Sequence, residues 1–235
     1  MPLILGTNSI KDTGFNVANS LRFNRASSDN LSRTPSSAGN RRKFTISLWN
    51  KRSTLGEYQY ILFAGASGSD FFAFYYANDD TLRVYSEVSG GTTKTNVVTN
   101  RLFRDVSAWY HIVLQIDSTH GNVNDRVRIY VNGVQESYST ASYPDQNYDY
   151  QVNNNVLHGV GRYLGGTPNH SQGGYFSEYL LLDGLDHNAT FFGEFDEDSG
   201  IWKPKDVSGL TFGTNGFYLD FEDSSALGND AAGSN

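Results

Sequence analysis

The chain has 235 residues, 14% of them aromatic, which is ample for a core, and it has no cysteine for disulfides or thiolate metal sites. Its formal net charge of −7 argues against nucleic-acid binding, and no apolar run approaches the ~20 residues that span a bilayer. Runs of strong helix formers are missing, so we expect an all-β protein with little helix and no membrane insertion.

The first segment, residues 1–19, is polar with scattered apolar residues and shows no clear period. It lacks the charged n-region of a signal peptide, and we interpret it as an N-terminal arm that orders against a partner. The remaining residues, 20–235, contain no internal repeat and no proline- or serine-rich linker. They are therefore predicted to form one domain.

Alternating apolar residues predict two strands among the first fifty residues, at Ser20–Asn24 and Lys43–Lys51. The side chains expected to point inward are Leu21, Phe23, Phe44, Ile46 and Leu48.

The next part of the chain is rich in β-forming residues. The runs Tyr58–Ala64 and Phe71–Tyr76 are typical of strands that are buried on both faces. Leu82–Glu87 and Thr93–Thr99 are expected to pair as a hairpin.

The clearest pattern lies in Trp109–Gln135, where period-two alternation predicts half-buried antiparallel strands. The residues that share the apolar face are Ile112, Leu114, Ile116, Val127, Ile129 and Val131. Asn132-Gly133 suits a type I′ turn, so Val134–Tyr138 should fold back as a third strand. The resulting meander has one apolar face, which must meet a second sheet.

The C-terminal half is less regular. Ser139–Asn155 is a long polar loop, and Val156–Tyr163 and Tyr175–Asp183 are predicted strands. Asn188–Gly193 suits a single helical turn capped by Asn188, and Phe217–Phe221 suits a last strand.

Several of these segments carry a resemblance to known proteins. Trp109–Val113 with Arg128–Gly133 resembles the laminin-G / concanavalin A-like lectin superfamily. Further segments resemble the lectin-like domains of bacteriophage structural proteins, especially from marine phages: Leu21–Asn24, Leu31–Pro35, Gly174–Gly184 and Phe192–Lys205. The resemblance covers roughly residues 18–230. It implies an antiparallel β-sandwich of jelly-roll type.

The resemblance also implies a function. We expect a non-enzymatic component of a phage virion, made in the bacterial host cytoplasm: a capsid decoration, head fibre or tail-associated protein. Its partners would be other virion proteins, in a symmetric homo-oligomer for which a trimer is plausible. The alternatives are an adhesin that recognises host-surface glycans and a glycan depolymerase.

The depolymerase alternative requires a pair of carboxylates. Glycanases with this fold use the pattern Glu-x-Asp-x-x-Glu. The nearest match, Glu194–Ser199, ends in serine and is polar and flanked by glycine. We expect it to be an exposed acidic loop, and we expect His111, within the Trp-Tyr-His signature, to have a structural role.

Sugar binding by such domains uses aromatic platforms and polar side chains on loops. The candidates for contact with a glycan or a partner protein are Tyr143, Tyr148, Tyr150, Asn153, Asn154 and, as a second exposed aromatic, Trp202. The alternative is that these rings fold back as loop packing.

Calcium is a further candidate, because lectin-like sandwiches often bind it at a loop edge through oxygen ligands. The carboxylates near the last strand are Asp220, Glu222, Asp223 and Asp230. The alternative is a solvated acidic tail.

The charges are distributed unevenly along the chain. Residues 1–52 hold nine basic and two acidic residues, and residues 183–235 hold eleven acidic and two basic ones. The two ends could attract each other within one subunit, could dock head to tail between subunits, or could be solvated faces.

Overall fold

Alternating apolar side chains assemble the chain into two seven-stranded antiparallel sheets. The computed structural model describes residues 15–166 and 170–232, with residues 66 and 67 described by their backbone alone. The first fourteen residues of the proposed arm therefore lie outside the described part. No helix among the described residues is long and apolar enough to cross a membrane.

Sheet I consists of β1 (Leu21–Phe23), β3 (Lys43–Arg52), β8 (Tyr110–Asp117), β9 (Val127–Val131), β10 (Val134–Gln135), β13 (Gly174–Asp183) and β16 (Phe217–Leu219). Sheet II consists of β2 (Leu31–Arg33), β4 (Gln59–Ser67), β5 (Asp70–Tyr76), β6 (Thr81–Val88), β7 (Thr92–Leu102), β11 (Tyr138–Ser142) and β12 (Leu157–Val160). A separate hairpin is formed by β14 (Gly193–Phe195) and β15 (Trp202–Pro204), and three short 3-10 helices span Arg25–Ser27, Val123–Asp125 and Ala189–Phe191.

The strands of sheet I follow the order β1-β13-β3-β8-β9-β10, with β16 also paired to β13. Sheet II follows the order β11-β7-β6-β5-β4-β12-β2. The predicted antiparallel sandwich is confirmed. The main core lies between the sheets, where Ile112, Leu114 and Ile129 are fully buried as predicted.

The turn after β9 is also confirmed, since Asn132 and Gly133 both have positive φ, at 47° and 81°. The single strand expected at Val134–Tyr138 is wrong. Val134–Gln135 pairs with β9 in sheet I, whereas Tyr138 begins β11 in sheet II, so the chain crosses between the sheets here. Glu136 fixes the crossing by an ion pair of 2.7 Å with Arg101.

The outer face of sheet I departs from the expected pattern, because it is buried rather than polar and solvated. Residues 185–216, here called the cover, lie across much of it. Val113, Leu180 and Leu182 of the sheet pack against apolar side chains of the cover, which are Ala189, Phe192, Trp202, Val207 and Phe212. Sheet I is therefore covered on both faces.

A buried histidine joins the cover to the sheet. The indole N–H of Trp202 donates to Nδ1 of His111 at 2.9 Å, so Nε2 carries the imidazole proton and donates to the Ser47 hydroxyl at 3.0 Å. Glycines make room for the indole: a Cβ on Gly133 or Gly193 would lie 2.4 or 2.6 Å from its ring. The structural role predicted for His111 is confirmed.

The two oppositely charged ends of the chain meet through Lys43, which pairs with Asp186 at 3.1 Å as well as with Asp117. Among the ion pairs of residues 15–166 and 170–232, this is the one that joins residues 1–52 to residues 183–235. The other paired basic side chains of residues 1–52 bind acidic groups in the middle of the chain. Head-to-tail docking between subunits stays a prediction.

The His111 contacts predict a pH dependence of stability. Burial lowers the pKa of His111 to about 3, whereas an unfolded histidine titrates near 6.5. Between these values the unfolded chain binds a proton that the folded chain does not, so stability falls as the pH falls. In urea unfolding between pH 6 and pH 4, the wild type should lose about 1.4 kcal/mol per pH unit more than His111→Gln. Equal slopes for the two proteins would contradict this.

Candidate functional site

The aromatic candidates predicted from sequence are largely part of the core. Tyr150 is fully buried, makes edge contacts with Phe44 and Phe72, and bonds Thr95 through its hydroxyl at 2.9 Å. Trp202, a residue of the cover, is only 8% exposed because its ring packs onto sheet I. The prediction that these two rings are recognition surfaces is wrong, since the open edges of a sandwich must be closed by apolar groups.

The first part of the predicted loop Ser139–Asn155 is wrong, because residues up to Ser142 belong to β11, and the rest closes one end of the sandwich. Asn153 is buried there, and its amide donates to the backbone of Asn40 and to the carboxylate of Asp183. Its prediction as an accessible hydrogen-bonding group is therefore wrong.

The other three loop candidates are more accessible. Tyr143 and Tyr148 are half-buried against the main core, and Asn154 bonds its neighbour Gln151 at 2.7 Å. The alternative prediction, that the rings of this loop fold back and pack against the domain, is therefore the one that the structure supports.

The predicted calcium ligands serve local turns. Asp220 accepts the backbone N–H of Glu222, and Asp223 accepts the backbone N–H and the hydroxyl of Ser225. Asp230 accepts the backbone N–H groups of Tyr218 and Ala232. Within residues 15–166 and 170–232, no group of three or more potential metal-ligating side chains is assembled. The structure does not bring these four carboxylates together as a calcium site.

The acidic segment Glu194–Ser199 forms the tip of the β14–β15 hairpin. Asp196 accepts bonds from the backbone and hydroxyl of Ser199 and from Lys203, and these lower its pKa to about 2. The carboxylate is thus an ionised turn cap on an exposed loop.

A different surface gathers aromatic rings: the outer face of sheet II, which the cover does not reach. The set, here called the aromatic face, comprises Tyr58, Tyr60, Phe63, Phe71, Tyr75, Tyr85, Tyr163 and His170. Phe63 and Tyr60 form its buried floor, whereas the other six rings are half-buried and present an edge or face to solvent.

Strand register builds this face. On neighbouring strands, Tyr60 lies opposite Tyr75, and Tyr75 lies opposite Arg83. Two residues earlier on β5, and past a bulge in β4, Ala73 lies opposite Phe63 on one side and opposite Tyr85 on the other. Because directly opposed residues project to the same side, alternate aromatic residues of β4, β5 and β6 meet on one surface.

The rings form a connected network. Tyr60 stacks on Tyr75 with centroids 4.9 Å apart and planes 10° apart. Tyr163 joins this pair to Phe63, because its ring centroid lies 5.2 Å from that of Tyr60 and 5.0 Å from that of Phe63. Such contacts hold each ring in a fixed orientation, which lowers the entropy cost of binding.

A glycine allows the loop after β12 to fold onto the face. Gly159 lies opposite Phe63, and a Cβ at this position would lie 2.5 Å from Cδ1 of Leu164. Leu164 therefore rests directly on the strand backbone. This contact positions the adjacent Tyr163 over the sheet.

The rim of the aromatic face is polar but has balanced charge. Arg83 is paired with Asp79, and Arg25 is paired with Glu57 at 2.9 Å. The Tyr85 hydroxyl donates to Glu87 at 2.8 Å. Burial lowers the pKa of His170, so its imidazole is neutral at pH 7. The surface thus offers oriented rings and hydrogen-bonding groups with paired cations.

This arrangement suits a ligand with a flat apolar face and polar edges, because aromatic side chains bind the former and the rim binds the latter. The sequence carried a signal for it in the tyrosines of three neighbouring strands, Tyr60, Tyr75 and Tyr85. The runs were interpreted as strands buried on both faces, and this hid the tyrosines' partial exposure.

Comparison with known proteins gives one family match. A sequence model of the Laminin_G_3 family, described as the concanavalin A-like lectin/glucanases superfamily, matches residues 25–179. No curated protein matches the chain by sequence.

Solved structures with a similar fold include the native heptameric SAP-like pentraxin from Limulus polyphemus, at 17% identity and TM-score 0.47, covering 68% of this chain and 71% of that chain. The Ruminococcus gnavus IT-sialidase CBM40 bound to alpha2,3 sialyllactose has 14% identity and TM-score 0.44, and the match covers 62% of this chain and 86% of that chain. The enzymatically active domain of bacteriophage CBA120 tailspike protein 2 has 12% identity and TM-score 0.49, and the match covers 74% of this chain and 26% of that chain. At these identities the likeness concerns the fold alone.

The two kinds of loop tyrosine should respond differently to truncation. Tyr150→Ala should lower the free energy of unfolding by about 3–5 kcal/mol, since it leaves a cavity among buried rings. Tyr143→Ala, in the same loop but half-buried, should cost about 1 kcal/mol. Equal and small losses in urea unfolding would mean that Tyr150 is accessible after all.

Proposed function

Because the chain belongs to the concanavalin A-like lectin/glucanases superfamily, we propose that it is a non-catalytic, carbohydrate-binding domain that holds uncharged glycans on its aromatic face. Membership of this superfamily confirms the sequence resemblance at that level. The ligand, the absence of catalysis and the place of the protein on a virion are parts of the proposal.

The aromatic face is the observation that carries the proposal. A pyranose ring has a face of C–H groups that packs on an aromatic ring and a rim of hydroxyls that needs hydrogen-bond partners. Tyr58, Tyr75 and Tyr163 offer half-buried rings around the Tyr60 floor, with tyrosine hydroxyls at their edges. The paired cations of the rim give no preference for an acidic ligand.

Two features support a non-catalytic protein. The segment nearest to a glycanase pattern is an exposed hairpin tip whose Asp196 is committed to a turn. Glu178, on the outer face of sheet I, is 7% exposed and accepts a hydrogen bond from Tyr218. Neither group lies beside the aromatic face.

The virion assignment rests on the resemblance of Leu21–Asn24, Gly174–Gly184 and Phe192–Lys205 to phage structural proteins. A glycan-binding domain on a phage surface would attach the particle to its host. We expect a symmetric oligomer, as for most virion components, with the segment 1–19 as the contact to the particle.

Truncating one ring should remove binding without unfolding the domain. We expect Tyr75→Ala to weaken the best-bound neutral oligosaccharide, chosen from cellotriose, xylotriose and laminaritriose, at least tenfold, equivalent to about 1.4 kcal/mol, in isothermal titration calorimetry. Tyr75→Phe keeps the ring and should keep most of the affinity. Tyr143→Ala, in the loop first predicted to bind, should bind like the wild type.

Several outcomes would reject the proposal: no binding of any neutral oligosaccharide, binding that Tyr143→Ala abolishes and Tyr75→Ala leaves intact, or release of reducing sugar from the bound oligosaccharide. The unfolding midpoint of each variant separates loss of a contact from loss of the fold.

The virion assignment has its own test. Deletion of residues 1–19 should leave the sandwich folded, because the described contacts of the core begin at β1, but should abolish incorporation into particles. Quantifying the protein in purified particles by mass spectrometry measures this. Normal incorporation of the shortened protein would reject the docking role of the segment.

A further inference from the structure

The cover leaves one end of the outer face of sheet I open, and two of the chain's three tryptophans lie there. Trp49 is on β3, and Trp109 directly precedes β8 and is 36% exposed. Together with residues 17–20, Ser177 and Pro204, they line a cavity of about 310 Å³. This volume lies within the range of sites for small molecules.

The floor of this cavity is rigid. Trp49 packs on His111 with ring centroids 5.0 Å apart, and His111 is held from both sides by Ser47 and Trp202. Trp109 lies beside the ring of Tyr175, with the two ring centroids 6.4 Å apart. A preorganised pair of indoles therefore faces the cavity without further support from a ligand.

Two cations lie beside these rings. Tyr175 of β13 is opposite Arg22 of β1 on one side and opposite Lys51 of β3 on the other, so the three side chains share the outer face. Arg22 and Tyr175 also line a depression of about 520 Å³. Neither Arg22 nor Lys51 forms a salt bridge with any residue in the described ranges.

The Asp105 carboxylate, which interacts with Lys51 at a distance, is bonded elsewhere. Asp105 accepts bonds from the hydroxyl and backbone N–H of Ser107, which lower the pKa of its carboxyl most, and Lys51 contributes to the lowering from a distance. The ammonium of Lys51 can therefore receive a second anion. The aromatic face differs on this point, because its Arg83 and Arg25 are already paired.

We propose that this open end is a second binding site, for a sugar ring that carries a carboxylate, with the ring on Trp109 and the carboxylate between Lys51 and Arg22. Indole faces bind the C–H side of a pyranose, and a guanidinium and an ammonium in one row supply charge-assisted hydrogen bonds to the anion. The domain would then hold two classes of glycan on opposite sheets. This site is independent of the aromatic face and of the function proposed for it.

The test is a titration of the full chain with trigalacturonate and, in parallel, with its neutral counterpart galactotriose, followed by tryptophan fluorescence. We expect trigalacturonate to bind at least tenfold more tightly than galactotriose and to lose affinity as salt is raised from 50 to 500 mM. Trp109→Ala and Lys51→Gln should each weaken trigalacturonate at least tenfold. Lys51→Arg should retain its binding.

Tyr75→Ala is the matched control, because it alters the aromatic face on the other sheet and should leave trigalacturonate binding unchanged. The unfolding midpoint of Trp109→Ala should stay near that of the wild type, since the ring lies at the surface. The proposal is overturned by absence of trigalacturonate binding, by equal affinity for galactotriose, or by binding that Tyr75→Ala removes and Trp109→Ala does not.

Discussion

Sheet I is buried on both of its faces, and this constraint organises the rest of the molecule. A seven-stranded sheet with two such faces needs two covers, because exposed apolar surface is costly in water. Sheet II covers one face, and residues 185–216 of the same chain cover most of the other. The surfaces left for recognition are therefore the outer face of sheet II and the open end of sheet I.

Buried polar contacts fix how these layers sit together. His111 accepts from Trp202 and donates to Ser47, which holds the cover in one register on the sheet. At the end of the sandwich, the Asp183 carboxylate accepts the N–H groups of Asn40 and Asn215 and the amide of Asn153, so three loops meet on one residue. Leaving such buried groups unpaired would be expensive, so these contacts select one arrangement over looser alternatives.

The strands were predictable because alternation and turn chemistry are local. Ile112 and Leu114 follow period two, and Asn132-Gly133 suits a single turn type. The cover was not predictable from sequence, because polar residues such as Gln115 on the outer face of sheet I indicate contact with solvent. In the structure, the Gln115 amide instead donates to the backbone carbonyl of Asp186 in the cover. The aromatic face depends on register among three strands, which no single strand sets. The position of Tyr150 was predicted wrongly, because the local sequence of a loop does not show whether an aromatic ring packs into the core or is exposed to solvent.

The most direct test of this account is the exchange of the three indole protons with deuterated water, followed by NMR. If the cover seals sheet I, the Trp202 indole proton, which is buried and bonded to His111, should exchange far more slowly than those of Trp49 and Trp109 at the open end. Loss of one resonance in Trp202→Phe would assign the protected signal. Exchange of all three protons at similar rates would contradict a sealed face, and with it the assignment of recognition to the surfaces that remain.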